Sequence, residues 1–267
     1  MVVYEEIVDY NIAPVVYHYC SEKAFKNIIA NKSLYLSDVT KGSDTSEFHR
    51  YIKYLYELQN RDKPHTKIHT SEFADFYNDH LYRCACFCKE GDILTQWERY
   101  ADDARGLAIG FNTNELQKLL SGEYISTFRA FKPISYTNIK SNKIFERPDM
   151  KFVKCGVGML QKGFFVKSLD YKPEMEYRFA VIFHRNILDT IKPYFICEDS
   201  FQRGDDKVEY FELNINHQEL GLKIISCINI GPSCDLSIEQ VKEYLLAHNY
   251  TYQIQVNKSG IPYKHVG

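Results

Sequence analysis

The chain has 267 residues, 45% apolar and 25% charged, with a formal net charge of −2. This composition excludes a disordered chain and a globally basic polyanion binder, and no run approaches the 18 apolar residues of a membrane-spanning helix. The length lies near the upper limit for one hydrophobic core, so one elaborated domain over 1–267 is expected.

The opening MVVYEEIVDY carries acids and no long apolar core, so no signal peptide is expected. The first clear element is VVYHY, which reads as a strand over Val15–Tyr19. Ser21 then suits the N-cap of a helix with Ala24, Phe25, Ile28 and Ile29 on its apolar face. Asn31 suits its C-terminal cap, and Leu34–Leu36 is the second strand. A polar turn over Lys41–Asp44 leads to a helix over about 45–59 and a polar loop over 60–71. Leu81–Cys88 is apolar on both faces and reads as a central strand. Asp92 caps a helix running through Tyr100, and Gly106–Phe111 is another buried strand. Asn112 and Glu115 form a capping box. A short strand follows over Phe131–Thr137, then a polar segment over 138–149 and a Gly-weakened helix between Met150 and Phe165.

The remainder is richer in strands: Tyr177–Phe183, Tyr194–Cys197, Val208–Leu213 and Leu222–Ile230, with Gly204 at a turn. Ser237 and Gln240 form a second capping box, opening a helix to His248–Asn249, and Tyr250–Val256 returns as a strand. That last strand–helix–strand unit is parallel if both strands join one sheet. The fold class is α+β, a mixed β-sheet core with helical and loop insertions at about 40–80 and 138–165.

The eight cysteines contain no CxxC pair. Cys84, Cys86 and Cys88 alternate along one strand and share one face. At a spacing of roughly 7 Å they are too far apart for one zinc ion, and no metal site is expected. Free thiols suit a reducing cytoplasm. Tyr is the most abundant aromatic, 21 residues against 17 Phe and 1 Trp. It buries area while keeping a hydroxyl for a ligand, although a Tyr-rich sheet produces the same count.

Three segments carry candidate chemistry. In Tyr17-His18-Tyr19 the histidine points away from its flanking tyrosines; a lone strand histidine is commonly a structural hydrogen-bonder. In the helix containing Trp97 and Tyr100 the two rings share a face at i, i+3, which suits core packing. In Tyr171–Phe179, Glu174, Glu176 and Arg178 point the same way if the chain is extended. That pattern suits either a salt-bridged strand edge or an acidic pair entering a cleft. Gly231–Cys234 precedes a helix N-terminus, which suits an anion site but is more often just a cap. The G-x-S-x-G, HExxH, P-loop and G-x-G-x-x-G patterns are missing from the sequence.

Five segments in order resemble the bacterial domain-of-unknown-function family 2971. They are YHYCSEKAFKNIIANKSLYLSD (17–38), CFCKEGDILTQWERYADDARGLAIGF (86–111), ISYTN (134–138), FVKSLDYKPEMEYRF (165–179) and IGPSCDLSIEQVKEYL (230–245). The chain departs from the family pattern in two places. Gly42–Glu47 lacks the Asn and Pro of the family's acidic turn, and Tyr171 stands where Trp is frequent. The family name implies no activity.

A second resemblance does. ADP-ribosyltransferases place Arg or His on the first core strand, Ser, Thr or Tyr on a later strand, and a Glu near the end, often in a Glu-x-Glu pair. His18, then Tyr35 or Ser37, then Glu174 and Glu176 follow that order, and the opening strand–helix–strand is similar to the DNA- and tRNA-type transferases. The resemblance implies a split sheet and NAD as substrate. It further implies Glu176 beside the ribose, Glu174 orienting the acceptor, His18 on a ribose or phosphate, and Tyr35 stacked on nicotinamide. Tyr19, Ser37, Tyr100 and Arg178 are the other candidate cofactor contacts. A cytoplasmic toxin or phage-defence effector follows, with an RNA, DNA or protein acceptor, a possible antitoxin or immunity protein, and no membrane. The rival expectations are a non-catalytic nucleotide- or partner-binding module and a metal-dependent hydrolase or nuclease. The transferase reading requires His18, Tyr35 or Ser37, and Glu176 to line one cleft; it falls if Glu176 lies on the far side of the sheet from His18.

Overall fold

The computed structural model describes residues 7–8, 12–39, 79–120, 128–137, 164–185, 195–203, 205–215 and 223–263. The expected turn at 41–44, helix at 45–59, loop at 60–71 and helix after Met150 lie outside them, as does Gly204.

Within the described residues the chain forms β1 (Ile7–Val8), β2 (Val15–Cys20), α1 (Glu22–Asn31), β3 (Ser33–Asp38), β4 (His80–Cys88) and α2 (Leu94–Tyr100). It continues with β5 (Leu107–Asn112), α3 (Thr113–Leu120), β6 (Phe128–Pro133), β7 (Ser135–Thr137), β8 (Val166–Ser168) and a 3-10 helix (Leu169–Glu174). The last elements are β9 (Glu176–His184), β10 (Phe195–Arg203), β11 (Asp206–Asn214), β12 (Ile225–Ile230), α4 (Ile238–Ala247) and β13 (Gln255–Lys258). The class is α+β, as expected.

Most of the helix signals act as read. Ser21 caps α1, its Oγ accepting from the Ala24 amide at 3.2 Å. Asn112 Oδ1 accepts from the Glu115 amide at the start of α3. Ser237 and Gln240 form the full capping box of α4. Two caps differ. Asn31 is the last helical residue of α1, and Lys32 takes the left-handed position (φ 52°). Asp92 does not cap α2, whose N-cap is Ile93; its carboxylate accepts from Trp97 Nε1 at 2.7 Å instead.

The strands join one mixed sheet in the order β1-β6-β9-β4-β2-β5-β12-β13, with β3, β11 and β10 branching from β4. The expected single strand over Phe131–Thr137 breaks at Ile134: β6 stays in the main sheet and β7 pairs with β8 in a small second sheet. β12, α4 and β13 form the expected parallel unit, with Ile228 opposite Val256. β13 starts at Gln255, later than the Tyr250 read from the sequence, and β10 extends to Arg203.

The branch positions the site. β4 pairs along its whole length with β9. Its other edge is shared by two strands: β2 pairs there only at Tyr17 with Cys88, and β3 only at Ser37 and Asp38 with Cys84 and Arg83. The sheet therefore forks between Cys84 and Cys88, and α1 connects the two prongs. One sheet face carries the main core, including Val16, Phe25, Ile29, Leu36, Phe87 and Phe179. The other carries a smaller cluster around Trp97, with Tyr19, Cys88, Ala101 and Ala108.

After α2 the backbone makes three consecutive left-handed residues, Asp102, Asp103 and Ala104, and returns to β5 through Gly106. A Cβ on Gly106 would overlap the carbonyl oxygens of Cys20 and Ala101, backbone atoms that cannot swing aside as a flexible side chain would. Gly106→Ala is expected to destabilise the protein by about 1–3 kcal/mol. A thermal melt unchanged by the substitution would show that this turn relaxes freely.

Candidate functional site

A cleft of about 660 Å³ opens at the fork. Strand register assigns its walls, because residues directly opposite in an antiparallel pair share a face. Ser37 opposes Cys84, Arg178 opposes Cys86, and Glu176 opposes Cys88. Cys88 also opposes Tyr17. By alternation, Tyr19, Tyr35, Ser37, Glu176 and Arg178 lie on one face with the three thiols. All of them line the cleft, together with Glu174, Tyr100 and His18.

His18 is the exception in direction. Alternation turns it away from Tyr17, and its ring stands edge-on to Phe87, a residue of the main core, at 6.0 Å between centroids. His18 and Glu176 thus leave their strands on opposite faces of the sheet. The fork leaves the sheet open between them, so both still line one cleft and Glu176 is not walled off from His18; their opposite departures count against their gripping one ribose side by side. His18 Nδ1 lies 3.0 Å from the Cys86 carbonyl oxygen. A carbonyl only accepts, so Nδ1 is the donor. Burial lowers the His18 pKa, outweighing that bond.

The acidic pair is arranged differently from the extended chain that the sequence suggested. Glu174 ends the 3-10 helix, Met175 follows in the left-handed region, and only Glu176 begins the strand. The two carboxylates still meet, through a residue the sequence reading did not single out. Lys167 Nζ, on β8, donates to Glu174 Oε2 at 2.7 Å and to Glu176 Oε2 at 3.0 Å. Arg178 grips Glu176 through Nε at 2.5 Å and Nη2 at 3.1 Å, and its Nη1 donates to the Phe164 carbonyl. Glu174 Oε1 accepts from Arg99 at 3.0 Å and from Tyr100 Oη at 2.8 Å. The Glu176 amide donates to Tyr136 Oη at 2.7 Å.

Lys167, Glu174, Glu176 and Arg178 are each no more than 6% exposed. Burial alone raises the Glu176 pKa, but Arg178 and Lys167 override it and hold the group at about 2. Tyr100 is pushed up by burial and then by Glu174, so its hydroxyl remains a donor. The Cys84 and Cys86 sulfurs are 4.0 Å apart, closer than strand spacing suggested because the side chains lean together. Cys86 has a raised pKa, first from its bond to Cys84. Among the described residues, no group of three or more His, Cys, Asp and Glu side chains is placed to hold a metal ion, and no helix is long and apolar enough to cross a membrane.

Tyr35 stacks on Tyr210 at 3.8 Å and 16°, with Phe201 at 6.5 Å. It faces the cleft as an aromatic shelf. Tyr19 is a supporting residue as much as a lining one: its hydroxyl donates to the Glu90 carbonyl and accepts from the Ile93 amide, fixing the entry to α2. Lys167 and Arg99 lie in the same stretches of sequence as Glu176 and Trp97, yet no spacing rule joins them to the acids. Their partners are 7 and 9 residues away for Lys167 and 75 away for Arg99.

One stretch of sequence supplies α2, β8, the 3-10 helix and the start of β9, hence every side chain of the charged cluster. Residues 96–179 match the family described as a protein of unknown function, DUF2971. The DUF2971 stretch contains Arg99, Tyr100, Lys167, Glu174, Glu176 and Arg178; His18, Tyr35 and Ser37 lie before it. The resemblance to family 2971 thus stands over those residues. No curated protein and no solved structure matches the chain.

Proposed function

We propose that the cleft at the fork binds NAD as a substrate and that the chain is an ADP-ribosyltransferase-like enzyme modifying RNA, DNA or protein. The observation that carries this reading is convergence: Tyr35, Ser37 and Glu176 line one face of one cleft, with His18 at the opening in the sheet. The volume lies within the range of small-molecule sites. Breaking the nicotinamide–ribose bond develops positive charge on the ribose. A carboxylate held at about 2 stays ionised across physiological pH, so Glu176 would act electrostatically rather than as a proton donor. Arg178 and Lys167 orient it, and Tyr35 offers a ring for the nicotinamide. The cellular setting that accompanies this reading is a cytoplasmic toxin or phage-defence effector restrained by an antitoxin or immunity protein.

Purified protein incubated with labelled NAD and cell RNA, DNA and protein is expected to transfer label or release nicotinamide. Glu176→Gln should reduce that rate by about 10²–10³-fold. A wild type that does neither, with a Glu176→Gln variant that leaves the cellular phenotype unchanged, ends the reading.

A non-catalytic nucleotide-binding module is favoured by a different observation. Glu176 already receives two bonds from Arg178 and one from Lys167, and its carboxylate also interacts with the Cys86 thiol. A ligand hydroxyl must displace one of these to reach it. On this reading the protein binds nucleotide without consuming it, and Glu176→Gln lowers stability alone.

A further inference from the structure

We propose that Lys167 is a positioning residue that binds Glu174 and Glu176 into one unit and so fixes the Glu176 carboxylate in the cleft. Its catalytic consequence rests on the transferase reading; the coupling itself does not. Lys167 is 4% exposed, and its ammonium bridges the two carboxylates at 2.7 and 3.0 Å. It also lies 4.7 Å from the centre of the Tyr171 ring. The element that delivers it is small: β7 and β8 form a two-stranded sheet of three residues each, apart from the main sheet. Ile134 and Ser135 tie that small sheet down through bonds to the Glu176 and Phe165 carbonyls. Strand β8 runs directly into the 3-10 helix that carries Tyr171 and ends at Glu174.

Arg178 serves Glu176, and Arg99 with Tyr100 serves Glu174; the ammonium of Lys167 bonds to both. Without it, two buried carboxylates face each other with one cation apiece, and Arg99 is half exposed. Like charges in that geometry cannot both remain ionised without cost, so one carboxyl takes up a proton at higher pH. Among the described residues, the other titratable groups facing the pair include Cys86 and Cys88 on β4 and Tyr136 on β7. None of these three is a cation, so none of the three can replace Lys167.

The test compares thermal stability from pH 7 to pH 3 for wild type, Lys167→Met, Lys167→Arg and Lys167→Met/Glu174→Gln, with NAD consumption measured in parallel. In Lys167→Met the acid-side loss of stability is expected to begin at least one pH unit higher, and Lys167→Arg should restore the wild-type onset. Adding Glu174→Gln to Lys167→Met should raise the melting temperature, because it removes the carboxylate left without its bridge. If Lys167 merely fills space, Glu174→Gln lowers the melting temperature further and the pH onset does not move; either result overturns the assignment. NAD consumption lost in Lys167→Met and regained in Lys167→Arg supports the positioning role. A wild type that consumes no NAD while the pH onset still moves removes the transferase reading and leaves the coupling in place.

Discussion

Replacing Glu176 with glutamine is expected to lower stability by roughly 3 kcal/mol at neutral pH, an effect separate from any loss of turnover. The substitution keeps the shape and removes the charge that Arg178 and Lys167 both address from buried positions. The pH dependence gives the prediction its signature. The Glu176 pKa falls from 4.5 to about 2 on folding. A depressed carboxyl stabilises the fold above its unfolded pKa, and that contribution fades as pH falls through the folded value. The gap between wild type and Glu176→Gln should therefore be full above about pH 5 and shrink toward pH 2. Urea unfolding midpoints across that range measure it. A gap that stays constant with pH would mean that packing, not charge, makes the difference.

The second large effect belongs to the single tryptophan. Trp97→Ala is expected to cost about 3–5 kcal/mol. Trp97 is fully buried, its ring stands edge-on to Tyr19 at 4.7 Å, and its indole nitrogen donates to Asp92 at 2.7 Å. The same aspartate oxygen accepts from Ser259 at 2.6 Å, so the indole helps join α2 to the segment after β13. Trp97→Phe keeps an aromatic ring and loses the hydrogen bond, and should cost less than half as much. Because α2 carries Arg99 and Tyr100 against Glu174, Trp97→Ala should also weaken the nucleotide binding proposed for the cleft, whereas Trp97→Phe should largely preserve it. Chemical unfolding and a binding titration on the two variants check both statements. A Trp97→Ala cost below about 1 kcal/mol would show that α2 is anchored elsewhere.

Much of the local structure was legible from neighbours in sequence. Ser21, Asn112 and the Ser237–Gln240 pair identified their helices because capping is a matter of three or four residues. The alternation of Cys84, Cys86 and Cys88 placed three thiols on one face because the strand period is two. The reading failed where a local pattern had a distant competitor. Asp92 looked like a cap, but Trp97 took its carboxylate. Phe131–Thr137 looked like one strand, but its second half left the sheet to pair with β8. Glu174 and Glu176 looked like one extended face, but a left-handed Met175 separates a 3-10 helix from the strand.

By itself the sequence determined the α+β class, the apolar faces, most of the caps, and a set of candidate residues that all line one cleft. These depend on short-range periodicity and on residue chemistry, both of which travel with the chain. Tertiary structure alone decided where the sheet forks, that His18 reaches the cleft from the opposite face to Glu176, and that Lys167 and Arg99 complete the acidic pair. Those facts depend on which strands share the edge of β4 and on side chains brought together across as many as 75 residues. Pairing of that kind is set by the packing of the whole sheet, and no spacing within the chain encodes it.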